Sequence, residues 1–293
     1  MKEQILSLFR EAGLAKYAED FSPLIRPSIR LFTHPANEDD LPLGSSKIGG
    51  TPDLPPHFEW PRWKVYTMSF LGQINLAELP NAPGTTLPKK GILYFFYAVS
   101  AMYDDDDFYD STDTARVLYF EGDVSELKRH PYPPDFDDYI VDDQETRFAL
   151  CSLTFSVEWT VPPSESANMA GLGMSWSQNR EDYDTYWDVF LPKHWEACIA
   201  NGGNPPINRL LGNPEQIQGD MQCDCVRYLR DDCSDKADLL SEAKKWHLLL
   251  QLDSEEEKTK MMWGDVGCVY FWIHEDDLAR GNFDNVICIM QCS

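Results

Sequence analysis

Apolar positions recur along the chain in two periods, and the switches between them lay out the elements. Ile5, Leu8, Phe9 and Ala12 share one face of a helical segment within residues 3–21, interrupted by Gly13 and ended by the prolines at 23 and 27. Residues 29–32 predict a first strand. Residues 33–64 are rich in Pro and Gly yet carry Leu54, Phe58, Trp60 and Trp63, which marks an ordered, packed loop rather than a linker. Strands are predicted at 66–74, 91–98, 117–120 and 149–159. In the last, Cys151, Leu153, Phe155, Val157 and Trp159 face one way and Ser152, Thr154, Ser156 and Glu158 the other. The second half opens with helices at 182–190 and 195–200, separated by Pro192 and stopped by Gly202 and Gly203. Ser234 caps a further helix through Lys245, and a short helix covers 274–279. Strands are predicted at 246–252, 267–273 and 286–290.

One phrase occurs twice. FLGQIN at 70–75 and LLLQLD at 248–253 share apolar–apolar–x–Gln–apolar–Asn/Asp. Gly50-Thr51-Pro52 precedes the first and Gly91-Ile92-Leu93-Tyr94 follows it; Gly212-Asn213-Pro214 and Gly267-Cys268-Val269-Tyr270 flank the second. The Gln-to-Gly spacings are 18 and 16 residues, and the extra length before Gln251 accommodates the helix at 235–245. Three ordered landmarks predict a duplicated supersecondary unit, with pseudo-repeats near 46–160 and 205–293 inside a single domain of 1–293. The fold class that follows is α+β, a mostly antiparallel or mixed sheet with peripheral helices and long Pro/Gly-rich loops. A buried glutamine at a strand end must satisfy one acceptor and two donors. Gln73 and Gln251 are therefore read as pins holding each Gly-x-Pro loop to the sheet. The functional reading is a ligand pocket between the halves, lined by Trp63, Gln73, Gln251, Trp263 and Asp265. Trp263-Gly264-Asp265 is otherwise ordinary turn chemistry with a core tryptophan.

SKIGGTPDLP at 46–55, WP at 60–61, FLGQINLAELP at 70–80, LPKKGILYFF at 87–96, LLGNPEQIQGDM at 210–221, LLLQLDS at 248–254 and WGDVGCVYFWI at 263–273 together resemble the YwqG-like family, a bacterial domain of unknown function. The resemblance covers the chain from about residue 46 onward. It implies an α+β fold with internal duplication and no established reaction. Members are often encoded near polymorphic toxin systems, which implies an immunity or toxin-associated role. One departure is that the family pattern commonly places His before the LLG segment, where this chain has Asn208-Arg209. A function carried by that His elsewhere would be absent here.

Charge adds a partner class. The net charge is −24, and residues 101–145 hold 15 acidic and 3 basic residues. Such a field repels nucleic acid and anionic membranes and attracts cationic proteins. Solvated loops that aid solubility are the commoner meaning of an acidic run. The candidate partner-binding residues are Asp104, Asp105, Asp106, Asp107, Asp137, Asp138, Asp142 and Asp143, with nearby aromatics as anchors. Asp104–Asp107 lacks the spacing of a calcium loop. Cys223, Cys225 and Cys233 are weak zinc candidates, because C-x-C is atypical and no His lies in the segment. The eight cysteines of a large chain without a secretory signal pattern are read as reduced thiols in a cytoplasmic protein. No window reaches the length of a membrane span. The chain carries no recognised nucleophile, phosphate-loop, metalloprotease or dinucleotide motif, and no catalytic residue or cofactor is assigned. A Cys–His pair distant in sequence stays open. The expectation is a binding protein, immunity-like, that takes a basic protein partner on an acidic face. The alternative is a small-ligand protein or enzyme using a cleft between the halves.

Overall fold

The β-rich runs assemble into one antiparallel sheet around aromatic side chains, seen in a computed structural model that describes residues 1–140, 145–200, 205–230 and 235–292. The first half contains α1 (Lys2–Phe9), α2 (Ala18–Phe21), β1 (Arg26–Pro35), β2 (Lys47–Ile48), β3 (Asp53–Leu54), β4 (Arg62–Trp63) and β5 (Tyr66–Thr67). It continues with β6 (Ser69–Asn75), β7 (Ile92–Tyr97), β8 (Ala115–Phe120), β9 (Lys128–Arg129) and β10 (Cys151–Thr160). The second contains α3 (Ala167–Gly171), α4 (Arg180–Thr185), α5 (Leu191–Ala200), β11 (Asn208–Leu210), α6 (Met221–Leu229) and α7 (Lys236–Ala243). Last come β12 (Trp246–Asp253), α8 (Glu256–Thr259), β13 (Cys268–His274), α9 (Glu275–Arg280) and β14 (Ile287–Gln291).

Ten strands form the sheet in the order β14-β13-β12-β11-β1-β10-β2-β6-β7-β8, every neighbour antiparallel. β3 pairs with β9 and β4 with β5 as small ribbons. The fold is thus mixed α and β on a large antiparallel sheet, nearly closed on itself. From the central pair β1–β10 two wings run outward, each a short strand, a glutamine strand, an aromatic strand and an edge strand. The register repeats: Lys47 lies opposite Gln73 and Gln73 opposite Tyr94, while Arg209 lies opposite Gln251 and Gln251 opposite Tyr270. Both glutamine strands carry a register irregularity at the same offset, between Phe70 and Gly72 and between Leu248 and Leu250. The skipped residue's carbonyl accepts from the residue just after the neighbouring short strand in each wing, Leu71 O from Gly49 N (2.9 Å) and Leu249 O from Leu211 N (3.2 Å).

Period-2 burial explains the layers. On β13, Val269, Phe271 and Ile273 join the core common to both wings, while Cys268, Tyr270 and Trp272 pack into a second cluster with α6 and α7. The common core closes the seam: the rings of Phe95 and Phe271 meet edge to face at 5.2 Å and those of Tyr97 and Trp263 at 6.1 Å. A third cluster places Ile5, Leu6 and Phe9 of α1 against Tyr186, Phe190 and Val161.

Two helical expectations change. Pro192 does not separate two helices, because α4 runs through a π-turn at Tyr186–Phe190 directly into α5. Pro192 sits at the second position of α5, just past the change of hydrogen-bond register. The cap of α7 is Asp235, whose carboxylate accepts from Ala237 N and Asp238 N; Ser234 lies outside the described residues.

Candidate functional site

The two glutamines are bonded alike. Gln73 Oε1 accepts from Asp53 N at 2.9 Å, and Gln251 Oε1 accepts from Glu215 N at 2.9 Å. Gln73 Nε2 donates to Ser45 O and Asp53 Oδ2, and Gln251 Nε2 to Ile207 O. Asp53 and Glu215 each follow the proline of a Gly-x-Pro loop. The tyrosine opposite each glutamine donates to the same loop residue, Tyr94 OH to Asp53 O (2.7 Å) and Tyr270 OH to Glu215 O (2.5 Å). Burial raises both phenols well above their ordinary value, aided by Asp53 at Tyr94 and by Cys268 and then Glu215 at Tyr270, so they remain donors. The acid of each loop also receives a buried cation, Lys47 Nζ 3.3 Å from Asp53 and Arg209 Nη2 3.0 Å from Glu215. Burial alone would raise Asp53, but Lys47 and Arg129 outweigh it and hold the carboxyl below the usual range. Glu158 on β10 ties the centre together, 3.6 Å from Arg30 and 3.0 Å from Arg209.

The five residues read as a pocket are not gathered around an opening. Gln73, Gln251 and Trp263 are fully buried, Trp63 is 3% exposed, and Asp265 lies on the surface. Their apolar seam is filled by the aromatic contacts above. Trp63 instead donates to Asp113 Oδ1 at 2.8 Å.

Several carboxylates of the acidic stretch already have partners. Lys64 Nζ lies 2.8 Å from both Asp105 and Asp107, Tyr66 OH donates to Asp104 at 2.8 Å, and Arg147 pairs with Asp137 at 2.8 Å. Burial and Asp104 push Tyr66 up to about 12. Asp106 and Asp138 have no cation partner among the described residues. Asp142 and Asp143 lie outside the described residues.

Cys223 and Cys225 lie on α6, and both are buried. Two residues apart on a helix, they face different ways. Cys223 donates to Asp220 at 3.0 Å, and burial followed by Asp220 keeps its thiol protonated. Cys233 lies outside the described residues. Among the described residues no group of three His, Cys, Asp or Glu side chains is placed to hold a metal. A Cys–His contact does occur on α5, Cys198 Sγ to His194 Nε2 at 3.6 Å. Burial pushes Cys198 up to about 11 and His194 down, so both are neutral, the opposite of an activated thiolate pair.

A further cavity lies where the sheet fails to close. β8 and β14, the end strands, flank a cavity of about 640 Å³ lined by Val117 and Leu118 on one side and Val286 and Ile287 on the other. The Tyr119 ring on β8 meets that of Phe283, in the segment before β14, at 5.4 Å, and Tyr228 OH donates to Tyr109 O at 3.4 Å. Asp113, Glu242, Asp277 and Asp284 face the cavity with Arg116 and Arg230. Arg230 is held 3.5 Å from both Asp238 and Glu242, and Arg116 is 4.0 Å from Asp113. The excess is acidic. Sequence reading missed this group because its residues come from separate segments with no common motif.

Among the described residues no helix is long and apolar enough to cross a membrane. A search of curated proteins gives no match. A family model described as Domain of unknown function (DUF1963) matches residues 46–292. That span takes in every strand of the ten-stranded sheet except β1, and the protein belongs to the DUF1963 family.

Proposed function

We propose that this protein is a binding module for a basic protein partner, which it takes at the acidic opening between β8 and β14. The observation that carries the reading is the pair of end strands facing one cavity beneath Asp113, Asp277 and Asp284. End strands present unpaired backbone N–H and C=O groups, which an extended segment can complete. Carboxylates around such an edge select Lys- or Arg-bearing segments, and the net charge of −24 accelerates their encounter. Asp106 and Asp138 extend the acidic surface at the loops. A cationic toxin domain held in the cytoplasm by its immunity protein belongs to this partner class. The quoted motifs support grouping the chain with the YwqG-like proteins, and the matched bonding of the two wings supports an internal duplication.

The test is fluorescence anisotropy of a labelled Lys/Arg-rich peptide at low ionic strength. Asp284→Lys weakens binding roughly tenfold, and the effect fades as salt is added. Asp106→Lys and Asp138→Lys change it less. Equal binding of an acidic peptide would reject the reading, and loss confined to Asp106→Lys would move the site to the loops.

A further inference from the structure

A second cavity, of about 400 Å³, is lined by Arg26, a cation with no carboxylate within 4 Å among the described residues. The other basic side chains buried in or around the sheet are ion-paired: Arg30, Lys47, Arg129 and Arg209 each meet at least one carboxylate within 3.6 Å. Half-buried Arg26, on β1, is bonded instead to a neutral ring, Nη1 to His247 Nδ1 at 2.8 Å. A guanidinium only donates, so Nδ1 accepts and the imidazole proton sits on Nε2. That nitrogen is 3.9 Å from Glu275, which is half exposed. Burial pulls Arg26 below its ordinary value, with Glu275 a weaker opposing influence. A cation taken partly out of water beside a neutral partner is costly unless something else supplies the counter-charge.

The rest of the cavity describes what would supply it. Pro27, Leu211, Leu248 and Leu278 form an apolar wall, and Thr86 brings a hydroxyl. The single guanidinium is a planar fork suited to two parallel bonds with a carboxylate. Glu275 at the rim opposes a second negative charge on the ligand, which disfavours phosphate. From these groups we infer that the Arg26–His247 cavity binds a small monocarboxylate with an apolar body. The acid group lies on Arg26 and the body against the leucines. The site is separate from the opening between β8 and β14, and neither proposal needs the other.

The cavity also couples binding to a proton. Burial, then Arg26 and His274, lowers His247 to about 4. A carboxylate on Arg26 offsets the largest charge facing that ring; Glu275 on α9 and His274 on β13 are the other titratable groups around it. His247 then takes up its proton at a higher pH in the complex than in the free protein, so its ring titration moves upward on binding.

The test uses the whole protein with sodium benzoate and sodium hexanoate at millimolar concentration, followed by calorimetry and by the His247 ring signals in NMR. Both acids bind and move the His247 signals; hexylamine and inorganic phosphate do not. Arg26→Leu lowers affinity at least tenfold, Arg26→Lys lowers it less, and Glu275→Gln raises it severalfold. Should Arg26→Leu fail to fold, Glu275→Gln and the His247 titration decide. No binding of either acid overturns the proposal. So do phosphate binding as tightly as benzoate, and an affinity indifferent to Glu275→Gln.

Discussion

Replacing each pinning glutamine by leucine tests the load borne by the matched loops. Gln73→Leu keeps the side-chain volume but strands Asp53 N, Ser45 O and one bond to the Asp53 carboxylate, all buried or nearly so. Each unmet partner costs about 1–3 kcal/mol, less what relaxation recovers, so a loss of roughly 4 kcal/mol is expected. Gln251→Leu strands two groups, Glu215 N and Ile207 O, and costs roughly 3 kcal/mol by the same reasoning. Urea unfolding followed by tryptophan fluorescence reads both. With a slope of about 3 kcal/mol/M for a chain of this size, each midpoint falls by about 1 M at unchanged slope. Because four strands separate β6 from β12, the double variant loses the sum to within about 0.5 kcal/mol. A loss below about 0.5 kcal/mol in either single variant would refute the pin.

Other expectations follow from named groups. Asp53 titrates below the ordinary carboxylate range, so its contribution to stability is complete above about pH 4 and fades as pH falls through the lower folded midpoint; a carboxyl NMR titration with a normal midpoint would contradict this. His247, depressed to about 4, stays neutral at pH 6, and its share of stability, full above its unfolded value, is lost as pH falls through that midpoint. Its ring signals should be flat from pH 8 to about pH 5. Gly49→Ala puts a Cβ 2.3 Å from Ala149 O at a φ of +64° and should cost more than about 3 kcal/mol, if the variant folds at all. Gly13→Ala, at a φ of +97° with open space around it, should cost about 1 kcal/mol, and comparable thermal shifts in the two would sink the distinction.

The strands with long apolar runs were legible because burial leaves a pattern. β7, β12 and β13 lie within two residues of their expected bounds. β2 and β11 were not, since two or three residues containing Lys47 or Arg209 show no period, and those cations are tolerated only because Asp53, Glu158 and Glu215 await them. α6 reads as a loop when its cysteines are taken as polar, yet Asp220 caps it and Cys225 and Val226 are core residues. The loop glutamines declared themselves through a repeated phrase. Arg26 and His247 did not, because they meet only when β1 is laid near β12, which local sequence does not encode.

The place of β1 in the sheet also sets an order of assembly. Its partners are β10 and β11, through pairs such as Arg26 with Thr160 and Ile29 with Leu210. A chain made from its N-terminus has β2, β6, β7 and β8 available as a near-local meander long before either partner emerges. β1, which precedes the other described strands in the chain, is therefore among the last to be paired on both sides. Until then its Ile29 and Leu31 are exposed aggregation hazards, the stretch a nascent-chain chaperone would have most reason to cover.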